Sequence, residues 1–245
     1  FTAPNIIVCV PYGATAVEER AIMESVLSAG ARKAALIPEP VAAAIGAGRP
    51  FGEPTGSMVV DIGGGTTEVA VLSLGGIVVA QSIRVGGDHF DAAIAAFLKK
   101  KYNLNVGLAT CEMLKFEIGT AAPPSDGVGR KTKVRGRHGV SGLPEEIEVT
   151  QADMAEALRP LVNNICEAVM LLLEQTPPDL AGDIQEHGLV LTGGGAGLTG
   201  IDKALSDTTN LPAVVADNHK YCVAFGTQIA MNLGKRIEHA IQRDP

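Results

Sequence analysis

The chain has 245 residues and a mass of 25.3 kDa, and 46% of its residues are hydrophobic, so it is long enough to bury one large core or two smaller ones. Its formal net charge of −7 and its pI near 5.3 argue against a nucleic-acid-binding protein. The most apolar run, residues 69–83, contains two glycines and is shorter than the roughly 20 residues of a membrane-spanning helix, and no secretory leader is recognisable at the start.

The cysteines and histidines give no sign of a metal centre. Cys9, Cys111, Cys166 and Cys222 lie far apart, which is typical of reduced thiols in a cytoplasmic protein, and the five histidines are scattered. One short stretch, residues 130–137, is strongly basic. We interpret it first as a solvated strand and turn, and second as a surface for a partner.

The first part of the chain predicts alternating strands and helices. Residues 5–10 are a compact apolar run typical of a buried strand, and Thr15 opens a capping box for a helix that ends near Gly30. A short strand over residues 34–37 and an alanine-rich helix over residues 41–47 follow. This β-α-β-α order predicts a parallel pairing of the two strands.

The next part of the chain predicts a mixed sheet. Three strands follow one another closely, over residues 57–62, 66–74 and 77–85. Only Gly75 and Gly76 join the last two, and so short a connection requires antiparallel pairing.

Helices and a small group of strands are predicted beyond this sheet. The helices cover residues 88–102 and 108–118, and short strands lie near residues 131–135 and 146–149. Thr150 then caps the longest helix of the chain.

The last part of the chain begins inside that longest helix. Pro160 is expected to kink the helix or to mark the start of its second half. After Pro178 a short helix precedes a strand that ends at Thr192. The remaining predicted elements are a helix near residues 201–205, a strand over residues 213–215 and a closing helix over residues 223–241.

The stretch from residue 58 to residue 72 is the most informative of the chain. Two β-branched runs flank Gly63–Gly65, where the lack of side chains lets backbone N–H groups approach an anion, while Thr66 and Thr67 add hydroxyl donors. Asp61, at the end of the first strand, is suited to hold a hydrated divalent cation. An ordinary glycine hairpin with an incidental aspartate explains this turn equally well when it is taken alone.

A second glycine turn, residues 192–196, also ends a strand predicted to be buried. The two turns together favour a nucleotide held from opposite sides of one cleft.

These motifs resemble a known superfamily. Residues 61–68 resemble the second phosphate loop of the superfamily of actin, heat-shock chaperones and sugar kinases, and residues 189–196 resemble its adenosine loop. More narrowly, three further segments are similar to the MreB family of bacterial actins, and the similarity extends from about Ile6 to Leu233. These segments are residues 39–48, 85–91 and 176–181.

The resemblance implies an α/β fold of ribonuclease-H-like mixed sheets flanked by helices, the actin-like ATPase fold, with an incomplete first domain. Residues 1–56 would be the remaining part of that first (IA) domain. Residues 57–88 and 150–216 would form the second (IIA) domain, and residues 89–149 its small upper (IIB) subdomain. Residues 217–245 would return to the first domain.

The resemblance also implies a site for ATP or ADP with Mg²⁺. Asp61 would hold the metal through water, and Glu39 and Thr66 would position the attacking water, work that positioning and charge can accomplish. The residues that would contact the phosphates are Gly63, Gly64, Gly65 and Thr66. Those that would hold the adenosine are Glu112, Lys115, Phe116, Gly194, Gly195 and Ala196.

Simpler interpretations exist for several of these side chains. Glu39 can be a carboxylate favoured by the dipole at a helix start. Glu112 and Lys115 are three residues apart on a helix, a spacing that is usually a surface salt bridge. Asp88 and Asp91 are interpreted as helix-start residues rather than ligands.

The sequence departs from the family pattern in two places. The family opens with a strand, an Asp-x-Gly-Thr phosphate loop and an upper subdomain that have no match here, and its membrane-anchoring elements lie in the same missing region. We therefore expect weak or absent hydrolysis by this chain alone. Residues 216–222 replace a segment that is typically acidic-proline-leucine-threonine before the cysteine.

The function implied is that of a cytoskeletal ATPase that self-associates into filaments scaffolding cell shape or organelle position. The expected location is the cytoplasm, and the protein would reach the inner face of the membrane through missing segments or through membrane-linked or organelle adaptor proteins. This segment is not expected to insert into the membrane directly, and no nucleic-acid partner is expected. Two alternatives stay open: a non-hydrolysing actin-like scaffold or interaction module, and a metabolic kinase or chaperone of the same fold, although motifs of a substrate domain are missing.

Overall fold

The structure is a computed structural model that describes residues 3–233 and 242–243, and it has an α/β architecture built on three sheets. The strands are β1 (Asn5–Val10), β2 (Lys33–Pro38), β3 (Ser57–Ile62), β4 (Thr67–Ser73), β5 (Gly76–Ile83), β6 (Leu104–Asn105), β7 (Lys131–His138), β8 (Pro144–Thr150), β9 (Leu189–Thr192), β10 (Ala213–Val215) and β11 (Gln242–Arg243). The helices are α1 (Ala16–Ser28), α2 (Glu39–Gly46), α3 (Gly87–Tyr102), α4 (Leu108–Ile118), α5 (Gln151–Gln175), α6 (Pro178–His187), α7 (Ile201–Thr209) and α8 (Cys222–Leu233), with 3-10 turns at Gly194–Gly197 and His219–Tyr221.

The largest sheet has five strands in the order β10-β9-β3-β4-β5. β3 pairs antiparallel with β4 and parallel with β9, and β4 pairs antiparallel with β5, which confirms the predicted mixed sheet. Every residue of β3 is buried, because the sheet is covered on both faces. Met58, Val60 and Ile62 join a large core shared with α3 and α5, whereas Val59 joins a second core shared with α2.

Two smaller sheets flank this one. β1 and β2 pair in parallel, as predicted, and β11 adds an antiparallel strand to β2. The third sheet has the order β6-β7-β8 and contains the small group of strands predicted in the middle of the chain.

Helices α2 and α8 pack with their backbones almost in contact. A side chain at Gly226 would collide with the carbonyl of Ala42, and one at Gly46 would collide with the carbonyl of Cys222. Only small residues allow so close an approach. The alanine-rich sequence of α2 is therefore explained by the packing of the C-terminal helix against it.

Helix α5 starts at the predicted cap, where Thr150 and Asp153 form both hydrogen bonds of a capping box. It then runs as one helix from Gln151 to Gln175, with Pro160 inside it, as the longest predicted helix of the chain. The missing N–H of a proline removes one helical hydrogen bond. Burial of the apolar stripe that includes Leu158 and Ile165 outweighs that loss.

The basic strand β7 lies in solvent opposite carboxylates of β8, which confirms its first interpretation. Lys131 pairs with Glu148 at 2.8 Å, while Lys133 and Arg135 both pair with Glu146, at 3.1 and 2.6 Å. These side chains are largely exposed, so each pair adds little stability.

The remaining predictions concern thiols, membranes and the closing helix. Cys111, Cys166 and Cys222 are buried free thiols, and Cys9 is a half-buried one. Within the part of the chain that the structure describes, none of the helices combines the length and hydropathy needed to cross a membrane. The closing helix extends to Leu233, and the rest of its predicted span lies outside the described residues.

Candidate functional site

The two glycine turns lie side by side because they follow neighbouring parallel strands. β3 and β9 are paired so that Asp61 lies opposite Thr192, and both turns emerge at the same edge of the sheet. The hydroxyl of Thr192 donates to Oδ1 of Asp61 at 2.6 Å, and both residues are buried. The structure thus brings together two motifs that are about 130 residues apart, as the numbering shows.

The second turn is glycine-rich for reasons internal to the protein. Gly193 has a φ of +82°, and a side chain there would collide with the main chain of Ile62. A side chain at Gly195 would collide with the side chain of Ile62. The second turn therefore packs directly against the end of β3.

The first turn has no such internal reason. Gly64 and Gly65 do not have a positive φ, and a methyl group added to Gly65 would meet no atom within 4 Å. A methyl group at Gly64 would lie 3.9 Å from the carboxylate of Asp88, an ordinary contact. Both glycines are exposed, so the bare backbone faces outward.

The first turn is held in place by the start of α3. The amide of Gly87 donates to the carbonyl of Gly63 at 3.0 Å, and the amide of Asp88 donates to the carbonyl of Gly64 at 2.9 Å. A side chain at Gly86 would lie 2.5 Å from that second carbonyl oxygen. These contacts fix the shape of the first turn without covering it.

A crevice of about 390 Å³ opens between the two turns and helix α4. This volume lies within the range of small-molecule sites. The predicted residues that line it are Gly63, Gly64, Glu112, Lys115, Phe116, Gly194 and Gly195. The predicted residues that lie outside its lining are Glu39, Asp61, Gly65, Thr66 and Ala196.

The lysine on α4 has a different partner from the one that spacing indicates. The ammonium of Lys115 lies 2.9 Å from Asp91 and also donates to the carbonyl of Gly87 at 3.1 Å, so the surface pair with Glu112 is not formed. Asp91 is buried and lies beyond the first turn of α3, so of the two predicted helix-start residues the structure places only Asp88 in that turn. Burial raises the pKa of Asp91, and the hydrogen bond from Lys115 opposes this rise.

Two other side chains of α4 stand at the mouth of the crevice. Glu112 is exposed, and the Phe116 ring is 73% exposed. The ammonium of Lys115 lies 5.2 Å from the centre of that ring. An aromatic ring this exposed offers a flat surface on which another flat group can stack.

A group of three acidic side chains lies around the ends of β2, β3 and β4. Burial raises the pKa of Asp61, and burial together with the nearby charge of Asp61 raises that of Glu39. Burial and the charge of Glu39 raise the pKa of Glu68 to about 8. Glu68 lies directly across from Asp61 on β4 and accepts a hydrogen bond from the amide of Tyr12 at 2.9 Å, which joins the sheet to the end of β1.

Sequence reasoning did not single out Glu68. A signal was present, since Glu68, Ala70 and Leu72 alternate along β4 and therefore point to the same face. A carboxylate on the face that is otherwise apolar indicates a buried, specifically placed group.

The donor set at Asp61 fits a hydrated ion. Within residues 3–233, no three His, Cys, Asp or Glu side chains are grouped closely enough to hold a metal ion. Oδ1 of Asp61 already accepts from Thr192. A divalent cation beside Asp61 would therefore need water and ligand oxygens to complete its shell, the arrangement that Mg²⁺ prefers.

Thr66 closes the first turn. Its carbonyl accepts from the amide of Gly63 at 2.9 Å, and the residue is half-buried. Neither Thr66 nor Glu39 is among the residues that line the crevice.

Several crevice residues were not predicted from sequence, and they are Gly87, Asp88, Phe90, Gly197, Leu198, His219 and Lys220. The last two belong to the segment that departs from the family pattern. His219 is tied to the second turn, since its Nδ1 lies 2.7 Å from the carbonyl oxygen of Gly193 and its own carbonyl accepts from the amide of Gly193 at 2.9 Å. The departure of residues 216–222 from the family pattern was the signal in the sequence that could have identified His219 and Lys220.

Comparison with known proteins identifies similar sequences along nearly the whole chain. The family described as MreB/Mbl protein matches residues 1–239. The cell shape-determining protein MreB of Escherichia coli (strain K12) is 52% identical over 231 residues, which cover 94% of this chain and 66% of that protein. The cell shape-determining protein Mbl of Bacillus subtilis (strain 168) is 43% identical over 232 residues, which cover 95% of this chain and 69% of that protein.

Two solved structures share the fold. MreB5 of Spiroplasma citri bound to ADP superposes with a TM-score of 0.89 at 37% identity, covering 95% of this chain and 69% of that one. A MamK double helical filament gives a TM-score of 0.76 at 18% identity, covering 94% of this chain and 69% of that one, a likeness of fold alone. The predicted actin-like fold is thereby confirmed, and the chain spans about two thirds of the length of these relatives.

Proposed function

The chain belongs to the MreB/Mbl protein family, and on that premise we propose that it is a bacterial actin-like cytoskeletal protein that binds ATP and ADP between its two glycine turns. The observation that carries this proposal is the bare backbone of Gly64 and Gly65, which packing within the protein does not require. A related structure, MreB5 of Spiroplasma citri, is bound to ADP.

The phosphates are assigned to the first turn. Backbone N–H groups of Gly64 and Gly65 and the hydroxyl of Thr66 are the donors, because a glycine turn exposes amides that side chains would otherwise cover. Gly63 contacts the phosphates without donating, since its amide is bonded to the carbonyl of Thr66. The hydrogen bonds from Gly87 and Asp88 to this turn engage its carbonyls, and so they orient the turn.

The adenosine is assigned to the other half of the crevice. Gly194 and Gly195 offer a surface without side chains, and Phe116 offers an exposed ring for the base. The polar groups for the ribose and base are those of Glu112 and Lys115. Ala196, at the buried base of the turn, keeps the turn closed against β3.

Mg²⁺ and the attacking water are assigned to the acidic side of the turns. Asp61 holds the ion through water, and the ion, when bound, neutralises charge on the phosphates. Glu39 and Thr66 orient the water for hydrolysis, a role that requires a fixed hydrogen-bond acceptor more than a strong base. The raised pKa of Glu39 reflects its burial beside Asp61.

The chain is further proposed to divide as the family does. Residues 1–56 and 217–245 belong to the first domain, residues 57–88 and 150–216 to the second, and residues 89–149 to the small upper subdomain. The separate sheets β1-β2-β11, β10-β9-β3-β4-β5 and β6-β7-β8 support this division. Self-association into filaments at the inner face of the membrane, with adaptor proteins, completes the proposal.

Nucleotide binding is tested by isothermal titration of the chain with ATP and Mg²⁺. We expect Asp61→Asn to weaken binding in the presence of Mg²⁺ more than in its absence, since the carboxylate acts on the ion. Glu174→Gln, an exposed carboxyl on α5, is the matched control and should bind as the wild type does. Failure of the wild-type chain to bind ATP or ADP would refute the proposed site.

Assembly and hydrolysis are tested by sedimentation and by phosphate release. Pelleting that depends on ATP supports the filament, whereas assembly independent of nucleotide supports the non-hydrolysing scaffold. Where phosphate is released, Glu39→Gln should abolish release while ATP binding is retained. Equal loss of binding and release would instead assign Glu39 a structural role.

A further inference from the structure

Resting on the proposed nucleotide site, we propose that His219 selects the base. Its ring Nε2 accepts a hydrogen bond from the 6-amino group of adenine and disfavours purines that carry an oxygen at that position. His219 thereby gives the crevice a preference for adenine nucleotides over inosine and guanine nucleotides.

The position of His219 places it on the adenosine side of the crevice. His219 and Lys220 stand just before α8 and line the crevice together with Gly194 and Gly197. Gly194 belongs to the second turn and Gly197 follows it in the same 3-10 turn, while the first turn, assigned to the phosphates, lines another part of the crevice.

The hydrogen bonds of His219 fix which ring nitrogen carries the proton. Nδ1 lies 2.7 Å from the carbonyl oxygen of Gly193, and because a carbonyl oxygen only accepts, Nδ1 is the donor. In the neutral ring Nε2 is then an acceptor. The second bond, from the amide of Gly193 to the carbonyl of His219, restrains the backbone from which the ring projects.

The free edge of the ring faces the bare part of the second turn. A methyl group added to Gly197 would lie 3.0 Å from Cε1 and 3.4 Å from Nε2 of His219, so this edge of the ring lies against a crevice-lining glycine. No hydrogen bond from the described residues engages Nε2. Because His219 also lines the crevice, this unpaired acceptor is available to a ligand that lies over the second turn.

This arrangement discriminates between purines by hydrogen-bond polarity. The 6-amino group of adenine donates, whereas the 6-oxo group of hypoxanthine or guanine accepts only. Two facing acceptors leave both groups unpaired, and a site built to accept a hydrogen bond rejects such a ligand. Inosine triphosphate is the sharpest probe, since it differs from ATP only in the group at the purine 6-position and in the proton that N1 then carries.

The experiment compares the affinities of the chain for ATP and for inosine triphosphate, both with Mg²⁺. We expect a wild-type preference for ATP of about tenfold. In His219→Asn the amide nitrogen replaces Nδ1 and keeps the bond to Gly193, but the acceptor at Nε2 is gone. Its preference should fall to near unity through weaker binding of ATP.

A second variant, His219→Gln, places an amide group at the position of Nε2. In His219→Gln the amide reaches the Nε2 position and can donate or accept, so the preference should fall through tighter binding of inosine triphosphate. His138→Asn is the matched control, because His138 is half-buried on β7, bonds Ser141 and does not line the crevice, and its preference should equal that of the wild type. Thermal unfolding shows which variants are folded, and either folded variant suffices for the test.

The outcomes separate this inference from the function on which it rests. An unchanged preference in the folded His219 variants, a parallel weakening of both nucleotides, or the absence of a preference in the wild type overturns the role of His219 and leaves nucleotide binding intact. Absence of binding of either nucleotide to the wild type overturns both.

Discussion

The two glycine turns end adjacent strands of one sheet, yet they are glycine-rich for different reasons. In the second turn, Gly193 and Gly195 press against Ile62, and larger residues would collide with it. In the first turn, a methyl group would meet no atom within 4 Å at Gly65 and would make only an ordinary contact at Gly64. The glycines of the second turn are required by packing within the protein, whereas those of the first turn leave space for a ligand.

The difference shows how a glycine motif can be assigned to packing or to function. Where an added Cβ atom would push neighbouring groups apart, the glycine contributes to stability, and its substitution lowers the free energy of unfolding. A glycine that could carry a Cβ freely leaves its backbone uncovered, and in a turn at the end of a strand beside a crevice this suits a ligand that approaches the backbone. From the sequence alone the two turns cannot be distinguished, since each contains three consecutive glycines.

The largest effect is expected at the tightest position. Gly193→Ala should lower the free energy of unfolding by about 3 kcal/mol, because the methyl group collides with the main chain of Ile62 and the residue must hold a φ of +82°. Denaturant unfolding measures this loss. Stability equal to that of the wild type would show that the second turn is not packed as described.

A smaller effect, dependent on pH, belongs to the strand that follows the first turn. The folded protein holds a proton on Glu68 up to a pKa of about 8, whereas the unfolded chain releases it near 4.5. Between these values the folded state binds more protons, so the free energy of unfolding should fall as pH rises from about 4.5 to about 8 and level off above that.

Glu68→Gln tests this dependence with an uncharged side chain of the same shape. The variant should lose part of the fall with pH, the rest arising from the raised pKa values of Asp61 and Glu39, and should exceed the wild type in stability at pH 8 by about 1–2 kcal/mol. Unfolding is measured without nucleotide or Mg²⁺. Glu174→Gln, as control, should retain the wild-type dependence of the free energy of unfolding on pH. The prediction is wrong if Glu68→Gln also retains that dependence.

The smallest effect on stability, and the sharpest contrast, is expected at Gly65. Gly65→Ala meets no neighbouring atom, so the free energy of unfolding should be unchanged or rise by up to about 1 kcal/mol. Its affinity for ATP should nevertheless fall about tenfold, as a methyl group now covers the backbone that binds phosphate. Isothermal titration with ATP and denaturant unfolding of the same preparation measure both quantities. A loss of stability together with affinity would show that Gly65, like Gly193, is required by packing.

Local sequence determined most of the secondary structure of this protein. The capping box at Thr15, the β-branched runs of β3 and β4, and the Gly75-Gly76 connection depend on residues close together in the chain, so their consequences could be predicted. The same holds for the two turns, and the family resemblance supplied their roles. Pro160 shows the limit, because burial of a long apolar stripe overrode a local helix breaker.

Tertiary structure decided everything that depends on partners far away in sequence. It gave Lys115 a buried carboxylate from α3, brought the ring of His219 to Gly193, and buried Glu68 beside Asp61. A pKa, a tautomer and the crowding around a Cβ atom are set by what surrounds a group in space. The sequence prescribes the elements and marks two glycine turns, while the fold alone determines which turn supports the sheet and which faces a ligand.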